Sequence, residues 1–211
     1  MSQEAASAGE IFVVDDDPAV RDVLTTVFSR DGFQVANFAD GASLLASAKM
    51  RTPLCIILDV HIPGKSGLDI LKELNAQDYP APIFIISGQG DIAMAVDAIK
   101  NGALDFIEKP FRGSDIVLRV REAIEAHKRR QADADSSKAS SFHFPGREPL
   151  TRREQDVLTQ IVAGASSKEA GRQLGISPRT IEVHRARIMA KLGAKNAADL
   201  VRIVYNEGRG Q

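Results

Sequence analysis

The sequence predicts an α/β domain built on a parallel five-stranded sheet, followed by a small all-helical domain. Three observations predict this. The apolar runs Ile11-Phe12-Val13-Val14, Leu54-Cys55-Ile56-Ile57-Leu58 and Ile83-Phe84-Ile85-Ile86 show no polar alternation, so they read as parallel strands buried on both faces. Segments with helical apolar spacing separate them, the pattern of strand–crossover–strand units. Past residue 147 the runs stop, and short helical patterns bounded by caps take over.

Pro18 suits a first helical turn after the first strand, and Val20, Val23, Leu24, Val27 and Phe28 follow at helical spacing. Asp31-Gly32 stops that helix, residues 33–38 form the second strand, and a helix over about residues 41–48 leads to the third. Residues 67–74 give the next helix, and Tyr79-Pro80-Ala81-Pro82 breaks the chain before the fourth strand. Asp91 reads as the N-cap of a helix over residues 92–99, closed by Asn101-Gly102. Phe106-Ile107-Glu108 is the fifth strand, and a helix over about residues 114–127 completes five βα units. That succession fits the flavodoxin-like strand order 2-1-3-4-5.

Residues 128–146 shift to Ala, Ser, Asp, Lys and Pro. They read as a linker, helical through Arg130 and then a tether whose Phe142-His143-Phe144-Pro145 stretch docks at most transiently. In the last domain, residues 147–211, Thr151 with Glu154 and Ser166 with Glu169 form capping boxes. Ser177-Pro178 sets a cap before a first-turn proline, and Gly164, Gly175 and Gly193 stop successive helices. A fourth helix starts at Asn196 and ends near Gly208. Two short helices joined by Gly175-Ile176-Ser177 make a helix-turn-helix.

A chain of 211 residues suits one large domain or two modest ones. Its net charge of −1 conceals an asymmetry. Residues 1–127 carry 11 Lys and Arg against 19 Asp and Glu, whereas residues 128–211 carry 16 against 9. The basic half invites a polyanion. Cys55, the sole cysteine, lies in an apolar strand, reads as a buried small hydrophobe and excludes a disulfide framework. The N-terminal residues lack the basic and apolar regions of a signal peptide, and no apolar run approaches a membrane span. The expectation is a soluble, cytoplasmic protein.

Each of four predicted strands ends in a chemically distinctive group: Asp15-Asp16, Asp59, Ser87 and Lys109-Pro110. Ligands of parallel sheets bind beyond the carboxyl ends of the strands, so these groups should converge. Three carboxylates in one place repel each other unless a hard cation such as Mg²⁺ neutralises them. Asp59 then serves as a nucleophile that forms an acyl phosphate, Lys109 as the charge for a phosphoryl oxygen, and Ser87 as a hydroxyl for the same group. The Lys109-Pro110 bond is a candidate cis peptide. The set reads as a phosphoryl-transfer site.

Val14-Asp15-Asp16, Asp59 with Pro63-Gly64 and Gly67, Ser87-Gly88 and Lys109-Pro110-Phe111 resemble the receiver domain of two-component response regulators, over residues 10–127. The resemblance implies that Asp59 is phosphorylated by a sensor histidine kinase. It implies that Asp15, Asp16, Asp59 and the backbone carbonyl of His61 hold Mg²⁺, with Asp15 acting directly or through water. Ser87 and Phe106 match the switch pair that reshapes the face of the fourth helix, fifth strand and fifth helix, often for dimerisation. Ile62 stands where the family commonly has Met, and Ser87 where it commonly has Thr. The His61 ring is a candidate for tuning phosphate lifetime.

Residues 150–204 resemble the LuxR-type helix-turn-helix of NarL/FixJ regulators. The resemblance runs through Leu150-Thr151-Arg152-Arg153-Glu154, Leu174-Gly175-Ile176-Ser177, Thr180-Ile181-Glu182-Val183-His184 and Ile188-Met189-Ala190-Lys191-Leu192-Gly193. On a helical wheel Ile181, Ile188 and Leu192 share a buried stripe, opposite Arg179, Val183, Ala186, Arg187 and Ala190. That basic face of small residues can enter a major groove. Arg187 suits guanine or phosphate, Glu182 cytosine and Val183 a thymine methyl, while Arg179, Thr180, Arg185 and Lys191 suit phosphates. For Ala198, Val201, Val204 and Tyr205 two uses stand open, a dimer contact between copies of the last helix or the domain core.

The combined reading is a response regulator and transcription factor. Phosphorylation favours a homodimer or releases the helix-turn-helix onto double-stranded promoter DNA, and activation through RNA polymerase follows by analogy. Two rivals differ in class. A phosphatase using Asp59 would need a substrate pocket and a separate general acid, for which the sequence offers no candidate. A phosphorylation-independent DNA-binding protein would leave the Asp15, Asp16, Asp59 and Lys109 set without a use.

Overall fold

The computed structural model describes residues 8–88, 92–136 and 142–207, and the chain divides into two compact units, Met1–His127 and Lys128–Gln211. In the first, strands β1 (Ala8–Val14), β2 (Phe33–Phe38), β3 (Cys55–Asp59), β4 (Ile83–Ser87) and β5 (Asp105–Glu108) alternate with helices α1 (Pro18–Arg30), α2 (Gly41–Met50), α3 (Gly67–Glu73), α4 (Ile92–Lys100) and α5 (Gly113–Ser136). The sheet is parallel throughout, in the order β2-β1-β3-β4-β5. This is the expected flavodoxin-like order.

The unbroken apolar runs behave as their composition requires. Every residue of β3 and β4 is buried, and Ile11, Phe12, Val13 and Val14 are sealed from solvent. Phe12, Phe28, Phe84, Leu24, Leu44 and Ile70 supply the largest side chains to this core. β2, at the sheet edge, is only half-buried. Local caps punctuate the crossovers: Asp17 accepts from the Ala19 amide (2.8 Å) ahead of α1, and Asp40 from the Ser43 amide (2.8 Å) ahead of α2. Asp91, expected to cap α4, lies outside the described residues.

Some boundaries move. β1 begins at Ala8 rather than at the apolar run, because Ala8 and Glu10 already pair with β2 and the Leu54 amide donates to the Glu10 carbonyl (2.7 Å). A backbone ladder can extend through polar residues that hydropathy passes over. Helix α5 continues to Ser136, where the sequence reading starts a tether soon after Arg130. The Arg, Gln and Ala content of residues 129–134 favours that helix. Phe144 is buried and stacks on Phe142 with ring centroids 6.4 Å apart, so this stretch packs where a transient contact was expected.

The second unit contains α6 (Arg152–Val162), α7 (Ser167–Leu174), α8 (Pro178–Leu192) and α9 (Ala197–Glu207). Both predicted capping boxes form, Thr151 with Glu154 and Ser166 with Glu169. Gly175 adopts the left-handed conformation (φ 66°) that ends α7 and turns the chain towards Ser177, the cap of α8. The core is built from Val157, Leu158, Ile181, Ile188, Leu192, Leu200, Ile203 and Val204. Of the residues with two open uses, Val204 belongs to this core, whereas Tyr205 and Ala198 are exposed. Gly208, the expected stop of α9, lies outside the described residues.

Candidate functional site

Strand register gathers the polar strand ends. Val14 pairs with Leu58, so Asp15 and Asp59 follow side by side, and Asp59 pairs with Ile86, one residue before Ser87. Gly67 completes the packing behind Asp59. Its amide donates to the Val60 carbonyl (2.8 Å), and a Cβ there would lie 2.3 Å from the Asp59 carbonyl oxygen. The turn after β3 therefore needs glycine to let α3 approach.

One carboxylate oxygen from each of Asp15, Asp16 and Asp59 falls within 4.8 Å of the others. Asp15 and Asp59 are buried, while Asp16 faces solvent. Lys109 Nζ bridges the two buried carboxylates, 2.6 Å from Asp15 and 2.8 Å from Asp59. The Lys109-Pro110 peptide is cis, as the sequence suggested. The free oxygen of Asp59 accepts from the His61 amide (3.3 Å), and that of Asp15 from the Asp17 amide (3.0 Å). Burial raises the Asp15 carboxyl above its usual range although the Lys109 hydrogen bond opposes it. Burial also works against the Lys109 ammonium, but hydrogen bonds to Asp15 and Asp59 outweigh it and hold its pKa high.

Ser87 is fully buried, with Oγ 3.8 Å from Met94 Sδ, and its carbonyl accepts from the Lys109 amide (2.8 Å). Phe106 is half-buried, and the guanidinium of Arg119 donates to its carbonyl (3.1 Å) while pairing with buried Asp105. The His61 ring is exposed.

In the helical unit, the exposed stripe of α8 is Arg179, Glu182, Ala186 and Ala190, with Val183 and Arg185 half-buried beside it. Glu182 accepts from the Ser167 hydroxyl at the start of α7. Three residues expected to reach DNA make contacts within the unit. Thr180 is buried against Ser177, with their hydroxyls 2.9 Å apart. Lys191 Nζ lies 2.9 Å from Glu154, 3.0 Å from Glu148 and 3.1 Å from the Pro149 carbonyl. Arg187 Nε lies 3.4 Å from the other Glu154 oxygen. For Lys191 and Arg187 the physical reason is Glu154, a carboxylate with no exposed surface, whose charge has to be met by cations because water does not reach it. In sequence, Glu154 reads as the partner of Thr151 in a capping box. The available signal was Arg187 and Lys191, four residues apart on one helix face.

The chain matches the response regulator receiver domain family over residues 11–121 and the luxR family of bacterial regulatory proteins over residues 148–204. It is a two-component response regulator. It is 40% identical to the transcriptional regulatory protein FixJ of Bradyrhizobium diazoefficiens, across 95% of this chain and 96% of that one. It is 37% identical to the transcriptional regulatory protein TdiR of Thauera aromatica, across 95% and 87%. Among solved structures, full-length FixJ from B. japonicum aligns at 37% identity and a TM-score of 0.56, across 95% of this chain and 97% of that one. A response regulator with these domains works with a kinase and binds DNA, and its family regulates transcription. Among the described residues no helix is long and apolar enough to cross a membrane.

Proposed function

We propose that this response regulator is phosphorylated on Asp59 by a sensor histidine kinase and then binds promoter DNA through α8 as a homodimer in the cytoplasm. The observation that carries the proposal is the Lys109 ammonium bonded at once to Asp15 and Asp59, at the point where three carboxylates meet. All the donors are hard oxygens and one of them faces solvent, which suits Mg²⁺, an ion that keeps part of its water shell. Asp15, Asp16, Asp59 and the His61 backbone carbonyl would hold it. When bound, it supplies charge neutralisation for the incoming phosphoryl group.

A carboxylate oxygen of Asp59 attacks phosphorus, and the bond from phosphorus to the kinase imidazole breaks as the new P–O bond forms. Lys109 has three N–H donors and spends two on carboxylates, so one is available for a phosphoryl oxygen. Ser87 turns its hydroxyl to the same group, and Phe106 moves inward behind it. Two linked DNA-binding units then hold paired half-sites far better than one. Arg179, Glu182, Val183 and Arg185 are the DNA contacts this surface supports best, while Arg187 and Lys191 act by fixing α8. Activation through RNA polymerase completes the reading.

A gel-shift titration with acetyl phosphate and Mg²⁺ tests it. Phosphodonor should raise operator affinity, Asp59→Asn should abolish the gain, and a +80 Da adduct should map to Asp59. Sustained turnover of a small phosphate ester would instead favour a hydrolase.

A further inference from the structure

The β1–α1 turn carries the acidic residues 15–17, and its three carboxylates are held to very different degrees. Asp15 is fixed on every side: its amide donates to the Phe38 carbonyl (3.2 Å), and its carboxylate takes Asp17 and Lys109. Asp17 is fixed as the cap of α1. Asp16 is exposed, and among the described residues its carboxylate has no hydrogen-bond partner. Its backbone, however, is gripped. Nη1 of Arg21, one turn into α1, lies 2.6 Å from the Asp15 carbonyl and 3.0 Å from the Asp16 carbonyl.

We infer that Arg21 is a positioning residue for the divalent cation: by donating from one nitrogen to two successive carbonyls, it aims Asp16 at Asp15 and Asp59. This rests on the reading of the acidic cluster as the cation site and adds to it a residue that never touches the ion. The geometry fits the guanidinium, whose Nη1 carries two coplanar N–H groups. Groups that orient metal ligands in this way typically set metal affinity by about 10- to 100-fold.

Positioning and simple charge repulsion by Arg21 have opposite signs. A cation near a cation site repels the incoming ion, so removing Arg21 would tighten Mg²⁺ binding if charge were its whole role. Removing a positioning group loosens it. The test is a Mg²⁺ titration of the full unphosphorylated chain, followed by NMR shifts of the amides of residues 15–17. Acetyl-phosphate labelling rates are measured alongside, at limiting and saturating Mg²⁺.

For Arg21→Gln we expect a Kd for Mg²⁺ roughly tenfold weaker, with the maximal labelling rate restored at saturating Mg²⁺. A Kd equal to or tighter than wild type, or a rate that saturating Mg²⁺ does not restore, overturns the inference. If thermal melting shows that Arg21→Gln is unfolded, Arg21→Lys decides on the same criteria, with a weakening of about threefold expected because a donor nitrogen and the charge survive while the planar geometry is lost. Wild-type protein that binds no Mg²⁺, or that binds it equally well as Asp59→Asn, sinks the cation-site reading too. Wild-type binding lost in Asp59→Asn but unchanged in Arg21→Gln sinks only Arg21.

Discussion

Lys191 Nζ sits 2.9 Å from the carboxylate of Glu154, a residue with no surface exposed to water. The pair joins the end of α8 to the first turn of α6, across 37 positions of sequence. Glu154 also accepts from the Thr151 amide (2.8 Å) and faces Arg187, so one carboxylate caps one helix and anchors another. Arg153, its neighbour, donates to the Leu174 carbonyl (3.0 Å) at the end of α7. Two consecutive residues of α6 thus brace both limbs of the helix-turn-helix.

Glu154→Ala should therefore destabilise the helical unit by about 2–4 kcal/mol, since removing the buried partner strands two half-buried cations and uncaps α6. Hydrogen exchange of the α6 and α8 amides measures this within that unit. A loss below about 0.5 kcal/mol would mean that the pair contributes little.

The same pair fixes a pH dependence. Burial pushes the Glu154 carboxyl up, but the Thr151 amide, Lys191 and Arg187 outweigh it and hold its pKa below the usual carboxylate value. A depressed folded-state pKa gives stability that is fully present above the unfolded value of about 4.3 and is lost as pH falls through the folded one. The stability gap between wild type and Glu154→Gln should be flat from pH 6 to 8 (roughly, both well above that value) and shrink below about pH 4. A gap that widens on acidification would contradict this sign.

Salt dependence separates cations that touch DNA from cations that hold α8. Each phosphate contact contributes about −0.9 to the slope of log K against log salt. Arg179→Ala should reduce the slope by about one such contact. Lys191→Met should leave the slope unchanged while lowering the thermal midpoint. A slope reduced equally by both would return Lys191 to the DNA surface.

Gly67→Ala should misplace Asp59, because the added methyl has the Asp59 carbonyl oxygen at 2.3 Å and Val60 Cα at 3.0 Å. Neither is the end of a flexible side chain, so the backbone has to yield. We expect a loss of about 1–3 kcal/mol and slower acetyl-phosphate labelling at saturating Mg²⁺. Unaltered labelling would show that the turn relaxes without disturbing its neighbour.

Much of the architecture was written locally. The strands at Ile56 and Phe84 were legible because burial on both faces demands unbroken apolar runs. The caps predicted at Thr151, Ser166 and Ser177 form because each satisfies an amide three residues away, within reach of local composition. The convergence of Asp15, Asp59 and Lys109 was legible too, since parallel strands deliver their ends to one edge.

Tertiary structure decided which charges are spent internally. Arg187 and Lys191 look like any cations on the open side of a helix until α6 brings a buried carboxylate beside them. Arg21 is the exception, because its two carbonyl partners lie only five and six residues back along the chain. Helix and strand identity follow from spacing along the chain. The partner of a long flexible cation follows from which low-dielectric surface lies nearest, and packing alone determines that.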